Sequence, residues 1–271
     1  MNDHASDSSR ALQKRLADVL AQIPWTVWQA IVRREPEWNH MEGLLPSYGF
    51  GPLATLMMAV GLNDYHLKGK ADAVYWPRLE ALLLYSPCAR SPLELMDRLV
   101  PFYEDERDHP RKVETLRAYC TSALARSLWH SSPQRTAVEF LLIRRNLAAT
   151  LKRPQEEKQI VFAMKCLGLA LMMAGESRFD FSPLPIPADS RLRKLTKRLR
   201  LATAGQEATR KLWSEILGLI QATQPHLTMI HLDSLLWQIE PLAATDLRSY
   251  FDDLGLHGIG AALSRLLNEK T

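Results

Sequence analysis

The sequence predicts an all-α fold, and three observations carry that prediction. Apolar residues return at three- and four-residue steps along most of the chain. No convincing run alternates in the manner of a strand. Clusters of Pro, Gly, Asp and Ser interrupt the periodic segments where helices would be capped.

In order along the chain, MNDHASDSSR reads as a loose tail covering residues 1–10, so that the folded domain spans 11–271. Helical periodicity then covers Leu12–Ile23, Leu53–Val60, Leu79–Tyr85 and Leu93–Leu99, the last opened by Ser91 and Pro92 with Glu94 behind them. It continues through Val113–Trp129, through Val138–Leu151 after Ser132 and Pro133, and through Ile160–Met173. Gly175–Ser190 breaks the pattern, because Pro183, Pro185 and Pro187 forbid a helix and favour an extended path. A boundary between two lobes is placed there, with the N-terminal segment returning to the C-terminal helices. Arg191–Leu201, Ala208–Gln221, Leu232–Ile239, Leu247–Asp252 (with Thr245 as its cap) and Ile259–Leu267 complete the set.

Composition narrows the function classes. A chain of 271 residues, 46% hydrophobic, buries a real core, and its net charge of +4 excludes the strongly charged, disordered class. Cys88, Cys120 and Cys166 lack metal-ligand spacing, which excludes a cysteine zinc site or a four-cysteine cluster and suits a reducing compartment. The start lacks the basic and apolar regions of a secretion signal, and Lys165 or turn residues interrupt the most apolar stretches before a bilayer-spanning length is reached. The expectation is a cytoplasmic, DNA-associated protein, monomeric, with no membrane, metal or cofactor partner.

Several constellations point to chemistry. Lys158, Phe162 and Lys165 stand at offsets of zero, four and seven, on one helical face. Such a stripe is either an ordinary amphipathic face or the wall of a cleft in which a partly desolvated Lys158 becomes a nucleophile. Asp189 sits at the N-cap of the helix after the proline segment, where capping and chemistry are compatible. That helix carries Arg191, Arg193, Lys194, Lys197, Arg198 and Arg200 without an acid, a block that suits backbone phosphates, or else solubility or an acidic protein. In HLDSLLW, Asp233 and Trp237 are four apart, a carboxylate beside an aromatic that suits a flat heterocycle or simply the core. LNDYHLKGKADAVYWPRL brings Tyr65, Lys68, Lys70, Tyr75 and Trp76 together around Gly69, as a base-stacking loop or a helix joint. Trp25, Trp28 and Trp38, near Glu35 and Glu37, read as packing anchors.

Together, LNDYHLKGKADAVYW, EEKQIVFAMKCL, LPIPADSRLRKLT and HLDSLLW resemble the archaeal 8-oxoguanine DNA glycosylase and abasic-site lyase family, a divergent branch of the helix-hairpin-helix glycosylases. They occur in that family's order and at close to its spacing across most of the chain. The resemblance implies a two-lobed helical glycosylase fold with a central cleft, acting on double-stranded DNA that contains a modified base. By it, Lys158 looks like the Schiff-base lysine and Asp189 like the conserved aspartate. Phe162 and Trp237 look like the aromatics around the flipped base, Trp76 like a further pocket aromatic, and Lys165 and Asp233 like polar pocket residues. Lys68, Lys70, Arg191, Arg193, Lys194, Lys197 and Arg198 would meet the DNA backbone.

The chain departs from that family at three places. RREPEW has Glu37 where the family has a glutamine that reads the base edge. An ionised glutamate only accepts hydrogen bonds, so the ligand edge must present donors or Glu37 must be protonated. NLAATLKRPQEE replaces the usual Leu-Pro-Gly-Val-Gly hairpin before Lys158, and the segment from Lys70 to Trp76 is one residue longer. The implied activity is excision through a lysine Schiff base, with strand cleavage by β-elimination. The alternatives are a glycosylase for a modified or phage-hypermodified cytosine, a catalytically silent helical DNA-binding module, and a protein-binding scaffold.

Overall fold

The computed structural model describes residues 2–201 and 205–268, and every regular element among them is a helix. The chain opens with α1 (Asn2–Leu20) and α2 (Trp25–Arg33). It continues through α3 (Pro36–Met41), α4 (Leu45–Tyr48), α5 (Phe50–Leu62), α6 (Trp76–Leu84), α7 (Pro92–Glu104), α8 (His109–Cys120) and α9 (Ala123–Trp129). After α10 (Pro133–Val138) come α11 (Phe140–Leu151) and α12 (Lys158–Met173). The last helices are α13 (Ser190–Arg198), α14 (Gly205–Gln221), α15 (Met229–Ile239), α16 (Ala244–Asp252) and α17 (His257–Asn268). The chain divides into two compact units, one of Met1–Arg34 with Leu184–Thr271 and the other of Glu35–Pro183. The second crossing falls inside the proline-rich segment 175–190.

In the unit of Glu35–Pro183, α5 and α12 form the central pair. Both are apolar on nearly every side, as helices enclosed by others must be. Gly61 lets them approach, since a Cβ there would lie 2.7 Å from Cys166 Sγ and 3.1 Å from Ala163 Cα. α12 ends in a Schellman turn. Gly175 takes φ +78°, its N–H reaching Met172 O at 3.0 Å and that of Glu176 reaching Leu171 O at 2.9 Å. Beyond it Phe179 and Phe181 pack on Phe140, with ring centroids 4.9 and 5.8 Å away.

In the other unit α1 packs on α14 and α17, and α2 on α15, so the N-terminal helices complete a core begun by the C-terminal ones. Leu20, Trp28, Ile31, Trp213, Ile216, Leu235 and Phe251 are fully buried there. Gln224 Nε2 donates to Ala21 O at 2.6 Å and Ile23 O at 2.7 Å, and Gln238 Nε2 to Ile31 O at 2.9 Å. Trp213 Nε1 donates to Thr196 Oγ1 at 3.0 Å, tying α14 to α13.

The caps at Ser91 and Ser132 form, accepting the N–H of Glu94 at 3.1 Å and of Arg135 at 3.2 Å. Other boundaries differ from the sequence reading. Val113–Trp129 is two helices, because Ser122 accepts the N–H of Ala125 at 3.1 Å and starts a new one. The cap of α16 is Ala243, not Thr245, whose hydroxyl turns to Asp246. Helices α2 and α3 occupy the stretch read only as tryptophan anchors. The segment read as a loose tail enters α1 from Asn2, and Met1 lies outside the described residues.

Candidate active site

Lys158 is the first residue of α12 and is exposed at its amino end. The turn 152–157 that delivers it from α11 is fixed from both sides. It opens with Lys152 in the left-handed region, where the N–H groups of Lys152 and Arg153 close on Ala149 O at 3.2 Å and Ala148 O at 2.9 Å. Arg144, buried on α11, then reaches across. Its Nε and Nη2 donate to Gln155 O at 3.3 and 3.2 Å, its Nη1 donates to Pro183 O at 3.2 Å, and Glu156 lies 3.5 Å away. Arg153 also bonds Thr115 Oγ1 at 3.0 Å and pairs with Glu157 at 3.4 Å. This is a helix, a pinned hairpin and a second helix without the usual glycines. The exposure of Lys158 differs from the partial desolvation considered from sequence.

One turn further along α12, Phe162 is half-buried, and Lys165 is buried with its ammonium 5.7 Å from the Phe162 ring centroid. Lys165 Nζ lies 2.9 Å from Glu35 Oε1, with side chains only 3% and 2% exposed. Glu37, in the first turn of α3, is buried beside them. Burial, and then the Glu35 carboxylate, push the Glu37 pKa well above the usual carboxylate range, with Lys165 opposing and Asp64 adding to the rise. Oε2 of Glu37 is shielded from solvent and has no hydrogen-bond partner among the described residues.

The segment before Trp76 is held by acids from the end of α7. Glu106 accepts the Lys68 backbone N–H at 2.9 Å, and Asp105 accepts from Lys68 Nζ at 2.6 Å and Arg78 Nη2 at 2.7 Å. Lys70 is exposed. Residues Ala71–Tyr75 form a π-helical turn, which takes one residue more than an α turn, immediately before Trp76 and the start of α6. Trp76 is fully buried, its ring edge-on to Tyr75 at 5.4 Å.

The other unit carries the remaining candidates. Asp189 caps α13, Oδ1 accepting the N–H groups of Arg191 and Leu192, each at 2.9 Å. The basic helix sorts into distinct roles. Arg193, Lys194 and Lys197 are exposed. Arg191 places its guanidinium over the Trp237 indole, 5.2 Å from the ring centroid. Arg198 turns to the end of α15, bonding Glu240 O and, at 2.7 Å, Leu242 O. Asp233 and Trp237, both half-buried, lie one turn apart on α15. The start of that helix is closed by Thr228 and His231, whose ring stacks at 4.9 Å from that of Trp25.

Sequence reasoning brought together Lys158, Phe162 and Lys165 on α12, and Asp233 and Trp237 on α15. It missed Arg144 as the residue that holds the Lys158 turn, although Arg144 stands on the apolar stripe of Phe140, Leu147 and Ala148. It also missed Glu35, whose partner is 130 positions away. Among the described residues no group of three or more His, Cys, Asp and Glu side chains could hold a metal ion, and no helix is long and apolar enough to cross a membrane.

A family profile described as AGOG, N-glycosylase/DNA lyase, matches residues 17–251. An N-glycosylase/DNA lyase of Thermococcus kodakarensis is 25% identical over 194 residues, which cover 68% of this chain and 66% of that protein. One of Methanopyrus kandleri is 24% identical over 205 residues, covering 74% and 78%. Among solved structures, that of the 8-oxoguanosine complex of an 8-oxoguanine DNA glycosylase from Pyrobaculum aerophilum shares the fold. Its TM-score is 0.73 over 97% of this chain and 98% of that one, at 20% identity. With the profile spanning most of the sequence, from α1 to α16, the chain belongs to the AGOG N-glycosylase/DNA lyase family.

Proposed function

We propose that the protein is a bifunctional DNA glycosylase and abasic-site lyase that excises a modified base, 8-oxoguanine or a related lesion, through an imine on Lys158. The observation that carries this reading is an exposed amine at the head of α12, on a turn pinned by Arg144, in a chain of this family. The neutral amine adds to C1′ of the sugar, the bond from C1′ to the base breaks, and the base leaves with the bonding electrons and takes up a proton. The nitrogen, having lost a proton, then opens the sugar ring: the C1′–O4′ bond breaks, O4′ takes up a proton and C1′ becomes an iminium, so that no water is lost. The iminium acidifies the C2′ proton, and its removal expels the 3′ phosphate.

Asp189 supplies negative charge to the cation that develops on the sugar. Phe162, Trp237 and Trp76 offer aromatic faces to the flipped base, and Lys165, Asp233 and Glu37 read its edge. Lys68, Lys70, Arg191, Arg193, Lys194 and Lys197 are assigned to the DNA backbone, with the exposed Arg193, Lys194 and Lys197 the clearest of them, whereas Arg198, bound to Glu240 O and Leu242 O, is left to the fold. A second reading keeps the chemistry and changes the base to a modified cytosine; Glu37, in place of the family's glutamine, favours it.

Duplexes carrying single modified bases, with borohydride to trap the imine, test the proposal. Lys158→Ala is expected to abolish trapping, and full trapping in that variant overturns the assignment. Asp189→Asn keeps a capping oxygen but removes the charge, so DNA binding is expected to persist while the chemical step slows by about tenfold or more. Unchanged turnover would refute that role.

A further inference from the structure

Three carboxylates, Glu35, Glu37 and Asp64, act on one another around a single amine, Lys165, and the thiol of Cys166. Lys165 and Cys166 stand on α12, Asp64 follows the end of α5, and Glu35 precedes α3. Of the other elements packed on α3, α6 contributes Glu80, bonded to His40 at 2.7 Å, and the turn Glu42–Leu44 contributes Glu42. Lys165 and Glu35 neutralise each other at 2.9 Å, almost fully removed from water. A second ionised carboxylate in that place would add a buried charge next to one of the same sign, which is far costlier than retaining a proton.

Glu37 is that second carboxylate. It hydrogen-bonds with Glu35, while its Oε2, closed off from solvent, has no partner among the described residues. A buried acceptor left in this state costs free energy until something donates to it. We infer that Glu37 works as a neutral acid, its proton lying on the bond to Glu35 and its Oε2 accepting from an N–H on the edge of the excised base. Glu37 is then a specificity-determining residue. A neutral carboxyl in this arrangement imitates a glutamine amide, with one arm donating to Glu35 and the other accepting from the ligand. It differs in one property, because alkaline solution removes its proton and the amide keeps its own.

The inference rests on the base-excision reading, and two measurements separate their failures. Infrared difference spectra of the DNA-free wild type against Glu37→Gln, from neutral to alkaline pH, read the proton directly. A carboxylic acid band is expected at neutral pH, present in wild type and absent from the variant. Single-turnover excision is then followed on duplexes carrying 8-oxoguanine, 5-hydroxymethylcytosine or uracil. On the duplex that is cleaved, the wild-type rate is expected to fall by about tenfold across the pH range in which the band disappears, and the fall to vanish in Glu37→Gln. Glu37→Leu, which cannot accept, is expected to lose about tenfold or more in excision. Absence of the acid band overturns the neutral acid. Superimposable pH profiles of wild type and Glu37→Gln, or wild-type excision by Glu37→Leu, overturn the base-reading role. Failure of the wild type to cleave any of the duplexes overturns that role together with the excision reading, while the band still decides the state of Glu37.

Discussion

His231 shows how one buried side chain links a helix start to acid stability. Its Nδ1 lies 3.3 Å from the Thr228 N–H and 3.0 Å from the Thr228 hydroxyl. With Nδ1 accepting, the ring is neutral and Nε2 carries the hydrogen, for which no partner stands among the described residues. Burial lowers its pKa from the ordinary 6.5 to about 4, and the Thr228 backbone opposes the drop. The unfolded chain therefore takes up a proton below pH 6.5 that the folded one refuses until about pH 4. Stability attributable to His231 is complete above that window and is lost as the pH falls through it, by up to about 3 kcal/mol. Urea titrations over the window should show a steep acid decline in wild type. A flatter one is expected in His231→Gln, which can still accept from Thr228. Equal slopes would exclude His231 as the cause.

At the same scale, single residues were legible where a local rule sufficed. Asp189 was recognised as a cap because a carboxylate after a proline segment and before a helix has few other places to go. The pairing of Glu35 with Lys165 escaped because no local pattern couples positions so far apart in sequence. Glu37 was identified as a departure needing either a donor edge or a proton, and its buried surroundings, which bear on that choice, come from segments distant in sequence.

Among the elements, α12 matters most, because it carries Lys158, Phe162 and Lys165 and is seated on α5 through Gly61. A methyl group at Gly61 meets Cys166 Sγ and Ala163 Cα, a backbone atom that cannot rotate aside. Gly61→Ala is expected to destabilise the protein by about 1–3 kcal/mol. Adding Cys166→Ala removes one of the obstacles and should recover part of the loss, a coupling that thermal melts of the two single variants and the double variant would measure. Additive effects would place the strain elsewhere. Helix existence was legible here from apolar periodicity, while helix boundaries were not. Leu116, Cys120, Leu124 and Leu128 recur at four-residue steps across the Thr121–Ser122 break, so periodicity alone runs through it.

Across the whole molecule, positive charge was read correctly as a feature of α13 but too uniformly. Its guanidinium and ammonium groups divide between solvent, the Trp237 ring and the end of α15. If Arg193, Lys194 and Lys197 each neutralise a phosphate, changing any of them to Ala should reduce the slope of log affinity against log salt by about 0.9. Arg198→Ala should instead lower the melting temperature and leave the slope nearly unchanged, because its donors are bound to Glu240 O and Leu242 O. Filter binding over a range of salt concentrations distinguishes the two, and a full slope change in Arg198→Ala would contradict the structural role. Pro183, Pro185 and Pro187 lie at the later crossing between the two units. The earlier crossing after Arg34 carries only a single proline, Pro36 at the start of α3, since Arg34 and Glu35 alone separate α2 from α3.

Those two crossings make Glu35–Pro183 an insertion within the other unit. On the ribosome, Leu16, Leu20, Trp28 and Ile31 emerge before the segment Glu35–Pro183, yet the partners that cover them, on α14, α15 and α17, are made only after it. The intervening segment holds its own core and has time to fold first, while the leading helices wait with their greasy sides open to chaperones or to a neighbouring nascent chain. Assembly is thus ordered in time by the chain path, with α1 and α2 waiting for helices made after the whole intervening segment.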